Sequence, residues 1–286
     1  MSDSYYLTLS CANQSGIVAH VAATLYEAGG NILEAQQYDD LASNRFFMRV
    51  EFNVADASST SESLRAVFTP TAQKYAMQWS LRAKSKFHRV ILLVSKFDHC
   101  LVDLLYRCKI GELPMQVVGI ISNHPQDHSN QQLIGEIPYY HLPITAETKP
   151  QQESQIKSVI EVNRADLIVL ARYMQILSND MSNHLRGRCI NIHHSFLPGF
   201  KGAKPYTQAF DRGVKMIGAT AHYVTDELDE GPIIVQDTEH VSHTDTADDL
   251  ARKGRDIERR VLSRAVFYHL EDRVLINDKK TVVFRD

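Results

Sequence analysis

The sequence is short of the features that mark a metalloprotein, a membrane protein or a nucleic-acid binder. It has four cysteines in 286 residues, Cys11, Cys100, Cys108 and Cys189, scattered and without a C-x-x-C pair. This offers no thiolate cluster for zinc and no disulfide framework, and it reads as reduced packing residues in a cytosolic chain. The longest apolar runs, such as Val90-Ile91-Leu92-Leu93-Val94, are far too short to span a bilayer. The start, Met1-Ser2-Asp3-Ser4-Tyr5-Tyr6, has neither the basic region nor the apolar core of a secretory signal, so a cytoplasmic location is expected. No run of five or six like charges occurs, and the net charge is only −3. Charge therefore gives no support to nucleic-acid or membrane-surface partners. The 44% hydrophobic and 23% charged content is ordinary for a globular chain, and the length predicts two domains.

Histidine is the residue in surplus, with thirteen copies, and a metal site has to be weighed. His193 and His194 are adjacent, and on a strand they would point to opposite faces. His124 and His128 have H-x-x-x-H spacing, but Pro125 between them argues for a loop rather than a helix face. Neither a metal nor an organic cofactor is expected.

The most telling stretch is Asn191-Ile192-His193-His194-Ser195-Phe196-Leu197-Pro198, with the acidic loop Asp226-Glu227-Leu228-Asp229-Glu230-Gly231-Pro232 downstream. The first follows Arg188-Cys189-Ile190 and stops at Pro198, so it reads as a strand running into a loop. Residues two apart on a strand share a face, which groups Asn191 with His193. An amide donor suits an oxyanion, an imidazole can transfer protons near neutral pH, and the carboxylate of Asp229 can position water and stabilise an imidazolium. Together the three suit attack on a carbonyl without a nucleophilic side chain. Each alone also has an ordinary reading, as a capping Asn, a structural His or a solvated turn.

Residues 5–11 alternate as a strand, and Ile17 to Ala28 reads as an amphipathic helix stopped by Gly29-Gly30. Strands are predicted over Asn31–Tyr38 and Arg45–Val54, and a helix over Ser59–Phe68 that Pro70 breaks, with a further turn to Tyr75. A closing strand is predicted at Ala76–Leu81. The order βαββαβ is the ferredoxin-like layout. After the basic linker Ala83-Lys84-Ser85-Lys86, apolar strands alternate with helices. Strands are predicted at Arg89–Val94, Val117–Ser122, Leu167–Ala171 and Cys189–His193, with helices at 98–108 and 148–163. Strands near 215–225 and 232–239, a helix at 246–270 and a hairpin-like tail at Arg273–Phe284 complete the chain. Such alternation predicts an α/β domain with a doubly wound, mostly parallel sheet, whose ligands sit beyond the carboxyl ends of the strands. The expected boundaries are a domain over 1–82, a linker over 83–87 and a second domain over 88–286.

Two resemblances follow from these motifs. Gly16-Ile17-Val18 and Gly29-Gly30-Asn31-Ile32 resemble an ACT domain, a small-ligand regulatory module. The preceding loop, Ala12-Asn13-Gln14-Ser15, lacks the acidic residue common there, so an amino-acid effector site and a ligand-free oligomerisation module both stand. Asn191–Pro198 with Phe200-Lys201-Gly202-Ala203, then Gly218–Val224 and Leu228–Ile234, resemble the folate-dependent formyltransferases in order, over roughly residues 87–286. The resemblance implies Asn191, His193 and Asp229 as catalytic residues. It implies His222 as a further site histidine and Met174, Ile176 and Leu177 as the wall of a pterin pocket.

The acceptor decides the reaction within that family. Relatives that formylate a phosphorylated amine carry a glycine-rich turn after the first strand of this domain, whose amides bind phosphate. Here that turn is Val94-Ser95-Lys96-Phe97-Asp98-His99-Cys100, with no glycine. The tRNA-formylating relatives carry a long C-terminal domain, which is not expected in a sequence running to Asp286. An ACT-like module fused to this core resembles the formyltetrahydrofolate deformylase family. That resemblance implies hydrolysis of 10-formyltetrahydrofolate, the substrate rather than a cofactor, to formate and tetrahydrofolate for one-carbon and purine metabolism. Formyl transfer to a small amine such as glycinamide ribonucleotide, and a ligand sensor with a vestigial core, are the alternatives. A homo-oligomer is expected by analogy with other ACT-like modules.

Overall fold

The computed structural model describes residues 4–56, 59–126, 130–199 and 205–285. His128 and the motif residues Phe200-Lys201-Gly202-Ala203 lie outside them. Contacts divide the chain into two units. One runs through Phe87 and takes in Glu271–Asn277 and the residues from Thr281 onward; the other holds His88–Leu270 and Asp278–Lys280. The sequence boundary at 88–286 differs from this grouping at the tail.

The first unit has β1 (Ser4–Ala12), α1 (Ile17–Glu27), β2 (Gly30–Asp40), β3 (Arg45–Val54), α2 (Ser61–Lys74) and β4 (Gln78–Ala83). Its antiparallel sheet runs β2-β3-β1-β4. Alternation sends Tyr5, Leu7 and Leu9 of β1 and Met48, Val50 and Phe52 of β3 into one core with Ile17, Val21, Leu25, Leu64 and Phe68 of the helices. Pro70 does not break α2, which runs through it. The ring costs a helix interior roughly 3 kcal/mol. Leu64, Phe68 and Ala72 are buried on both sides of it, and burial of side chains the size of Leu64 and Phe68 contributes about 1.5–3 kcal/mol each. Packing therefore outweighs the missing N–H. Thr60 closes the other end with a capping box to Ser63.

The opposite face of this sheet carries Tyr6 and Arg49, and the tail covers them. Arg49 Nε donates to the Glu271 carbonyl at 3.0 Å, and Tyr6 Oη donates to Glu271 Oε2 at 2.7 Å. Arg82 Nε donates to Asp272 Oδ2 at 2.8 Å. These charged and aromatic groups explain why the tail clusters with the first unit rather than with the helix it follows.

The second unit contains β5 (His88–Val94), α3 (His99–Lys109), β6 (Met115–Ser122), α4 (Gln131–Ile134), β7 (Tyr139–His141), α5 (Lys149–Val162), β8 (Leu167–Leu170), α6 (Asn179–His184), β9 (Cys189–His193), α7 (Pro205–Arg212), β10 (Met216–Tyr223), β11 (Ile233–His240) and α8 (Ala247–Leu270). The tail hairpin follows as β12 (Val274–Asn277) and β13 (Lys280–Val283). The seven-stranded sheet runs β11-β10-β9-β8-β5-β6-β7. The β9-β8-β5-β6-β7 stretch is parallel, and β10 and β11 are antiparallel additions at one edge. Val90–Leu93 and Leu167–Val169 are each 0% exposed, as strands covered on both faces must be. The carboxyl ends of β5, β8 and β9 share one edge, where the loops at Ser95, Ala171 and His194 emerge. Among the described residues no helix is long and apolar enough to cross a membrane.

Candidate active site

β9 delivers the first two groups. It pairs in parallel with β8 and antiparallel with β10, and the second pairing sets Asn191 opposite His222 and His193 opposite Thr220. Side chains directly opposite in such a pair lie on the same face. The Asn191 amide nitrogen is accordingly 3.2 Å from His222 Nε2. His222 Nδ1 lies 2.9 Å from the Tyr223 carbonyl, which can only accept, so Nδ1 carries the proton. In the neutral ring Nε2 then accepts one amide hydrogen of Asn191 and fixes that side chain, leaving its second N–H for a ligand.

The third group comes from the loop between β10 and β11. The Tyr223 N–H donates to the Pro232 carbonyl at 2.9 Å and pinches the loop shut. A Cβ on Gly231 would stand 1.7 Å from the Tyr223 carbonyl oxygen, so only glycine permits this approach. Within the loop Asp229 adopts a left-handed φ of 58°. Its Oδ2 lies 3.2 Å from His193 Nδ1 and its Oδ1 3.7 Å from His222 Nε2. Burial pushes this carboxyl upward, but the hydrogen bond from His193 and the nearness of His222 outweigh it and hold Asp229 well below the usual carboxylate range. Asp229 is thus an anion that orients His193 through Nδ1–H. His193 Nε2 is buried with no hydrogen-bond partner among the described residues, and its lone pair is the free base of the site.

Asn191, His193, His222, Asp229, Met174, Ile176 and Leu177 all line one cavity of about 360 Å³. Sequence reasoning named all seven, and the structure brings them together. Met174 and Ile176 are 50% and 61% exposed, an apolar wall open to a flat ligand rather than core. Their segment is tied down at the sheet edge: Ser95 N donates to the Arg172 carbonyl at 3.2 Å, and Met174 N donates to Ser95 Oγ at 3.0 Å. Ser95 Oγ in turn donates to Asn123 at 2.7 Å.

His194 does not follow the expectation from strand alternation. β9 ends at His193, and beyond it the His194 ring turns back to stack on His193, with centroids 5.2 Å apart and planes at 21°. It lines the same cavity. Burial and the nearby Arg172 cation push its pKa down to about 4, so it is a neutral ring at physiological pH.

Sequence reasoning missed a buried cluster beside these rings. Arg172 follows β8 in a left-handed conformation, φ 67°, which costs a non-glycine residue about 1–3 kcal/mol. Its Nε lies 3.2 Å from Glu258 Oε2, but Nε and Nη1 make no hydrogen bond among the described residues. Glu258, 1% exposed, accepts from His99 Nε2 at 2.8 Å and from Tyr206 Oη at 2.6 Å. Burial raises its carboxyl, and the His99 bond and Arg172 charge more than reverse this. His99, Cys100 and Glu258 have the proximity of a three-ligand metal set. However, burial holds the Cys100 thiol protonated, and Arg172 already supplies Glu258 with a cation. The members are far apart in sequence, and no local spacing points to them.

Residues 88–266 match the formyl transferase family model, and residues 5–69 match that of the ACT domain. The formyltetrahydrofolate deformylase of Corynebacterium sp. (strain P-1) is 48% identical over 281 residues, 98% of each chain. The chain belongs to the formyltetrahydrofolate deformylase family. A Bacillus subtilis deformylase is 47% identical over 97% of this chain and 93% of its own. The crystal structure of the Burkholderia mallei deformylase superposes with a TM-score of 0.93 at 49% identity, covering 99% of this chain and 100% of that one. The glycinamide ribonucleotide transformylase 1 of Symbiobacterium toebii is more distant, with a TM-score of 0.65 at 29% identity over 70% of this chain and 95% of its own. The likeness to deformylases therefore spans both units.

Proposed function

We propose that this protein hydrolyses 10-formyltetrahydrofolate to formate and tetrahydrofolate, with His193 as base, Asp229 as its orienting anion and Asn191 as oxyanion donor. The observation that carries the assignment of roles is the polarity of the His193 ring. Nδ1 faces the Asp229 carboxylate at 3.2 Å, and Nε2 has no hydrogen-bond partner among the described residues in the cavity that the apolar wall of Met174, Ile176 and Leu177 shares. The pterin lies on that wall and sets the formyl group beside His193 and Asn191.

Water attacks the formyl carbon as one of its protons passes to His193 Nε2. The imidazolium is stabilised by Asp229, whose lowered pKa makes it too weak a base to keep that proton itself. The free N–H of Asn191, oriented by His222, meets the developing oxyanion; removing such a donor raises a barrier by about 3–4 kcal/mol. Collapse of the tetrahedral intermediate breaks the C–N bond, and the departing nitrogen takes the proton from His193. Formic acid leaves and releases the remaining acidic proton to solvent.

Water as acceptor agrees with the β5–α3 turn. That segment has no glycine, and the donors of Ser95 are spent on Arg172 and Asn123, so it does not form a phosphate cradle. In a steady-state assay with 10-formyltetrahydrofolate alone, formate is expected at the rate of tetrahydrofolate formation. Turnover that appears only on adding glycinamide ribonucleotide would replace hydrolysis by transfer.

The finer partners are part of the same reading: a homo-oligomeric, cytoplasmic enzyme with an amino-acid effector on its ACT-like unit. The cavity formed by Asn13, Gln14, Gly16 and Ile17 with Gln37 and Asp39 supports the effector. Titration calorimetry with single amino acids tests it, and sedimentation tests the assembly.

A further inference from the structure

We infer that Arg172, Glu258, His99, Tyr206 and His194 form a plug that fills the approach of an amine to the catalytic imidazole and so reserves the formyl group for water. This rests on the hydrolytic reading above. The cavity is lined by two unlike groups, the apolar Met174, Ile176, Leu177 and Leu228 and the polar His193, His194 and Arg172. An acceptor larger than water has to reach the formyl carbon past the polar group, because the folate lies on the apolar one.

A chain of hydrogen bonds, an ion pair and ring contacts runs from His99, at the start of α3, to His193. His99 bonds to Glu258 at 2.8 Å, and Tyr206 bonds to the other oxygen of Glu258 at 2.6 Å. Arg172 stands 3.2 Å from the same carboxylate. The Tyr206 ring lies 6.4 Å from that of His194, which stacks on His193. Tyr206 is itself backed by α8, where a Cβ on Gly254 would come within 2.0 Å of its ring. An amine entering here would have to separate Glu258 from its partners, and a buried carboxylate stripped of partners is strongly disfavoured. Water needs no such displacement. Arg172 is the most telling member, because its left-handed backbone suits glycine and the large side chain is retained there against that preference.

The test is the partition of formyl groups between water and glycinamide in the full-length protein, read as formate against N-formylglycinamide by mass spectrometry. In transfer to the amine its nitrogen forms the new C–N bond, the bond to the folate nitrogen breaks, and one amine proton moves to that folate nitrogen. The unaltered protein is expected to give formate only; this arm tests hydrolysis by itself. Arg172→Gly relieves the left-handed strain and opens the plug, and is expected to raise the N-formylglycinamide fraction by about tenfold or more over the uncatalysed background. If Arg172→Gly does not hydrolyse, Tyr206→Ala opens the same path from the other side. A partition unchanged in whichever variant still hydrolyses overturns the plug. Loss of hydrolysis in both overturns it too: with folded cores the cluster then serves the chemistry itself, and with unfolded ones it serves only the fold.

Discussion

Arg49 in the first unit and Arg172 in the second both have side chains 10% exposed or less, and they are held in different ways. Arg49 lies in the middle of a regular strand with its side chain 0% exposed; Nε reaches a main-chain carbonyl and Nη1 a Glu34 oxygen at 2.7 Å. Its Nη2 stands between Glu51 and Glu271 at 3.8 and 3.9 Å, and the guanidinium lies 4.6 Å from the Tyr6 ring centroid. Arg172 lies at a strand end with a left-handed backbone and, among the described residues, one carboxylate beside it and two nitrogens without hydrogen bonds. Arg49, bonded through Nε and Nη1 and with only Nη2 lacking a hydrogen bond among the described residues, ties sheet to tail. Arg172 instead combines a strained backbone with a place beside a cavity, where it adds little to the stability of the sheet.

That contrast makes the mouth of the second sheet sensitive in turnover and the open face of the first sensitive in stability. The largest expected effect is Asp229→Asn, which removes the anion that orients His193. It should lower kcat by about three to four orders of magnitude, with folate affinity, measured by fluorescence quenching, largely kept. Equal loss of both would make Asp229 structural and erase the contrast.

Next in size is Arg49→Met. Breaking a buried pair by removing one partner costs about 3–5 kcal/mol, because Glu34, Glu51 and Glu271 then face one another. The unfolding free energy from urea titration should fall by that amount while turnover per folded molecule stays unchanged. A matching fall in turnover would show that the two arginines do the same kind of work.

The smallest is a pH effect at His194. Its folded pKa of about 4 lies below the ordinary histidine value of 6.5. Its neutral form therefore contributes stability that is fully present above pH 6.5 and is lost as pH falls toward 4, where the unfolded chain binds the extra proton. The linkage amounts to about 2–3 kcal/mol. His194→Phe should flatten stability against pH across that window in urea titrations at pH 7 and pH 4.5. An unchanged slope would place the titration elsewhere.

Legibility in the sequence followed the range of the interactions. The βαββαβ order and the alternating second domain were readable because periods of two and 3.6 follow from backbone geometry within each segment. Asn191 and His193 were readable as a pair for the same reason, and Asp229, His222 and the Met174–Leu177 wall came through the resemblance of motifs in order. The helix running through Pro70 was not readable, since the local cost of proline is overruled by the burial of Leu64 and Phe68. The short elements α4, β7, α6 and α7 hold too few residues to show a period. His194 turned out to face the cavity because the strand ends one residue before it.

By itself, then, the sequence determined the two-part α/β architecture, the absence of a glycine turn at Val94–Cys100 and the residue types of a carbonyl-attacking site. These are properties of local pattern, and local pattern is written in consecutive residues. Only the tertiary structure decided which nitrogen of His193 is free, where the tail belongs, and that His99, Arg172, Tyr206 and Glu258 meet beside the imidazole. Those facts depend on side chains brought together from separate strands and helices, where hydrogen-bond geometry and burial, not spacing, set the chemistry.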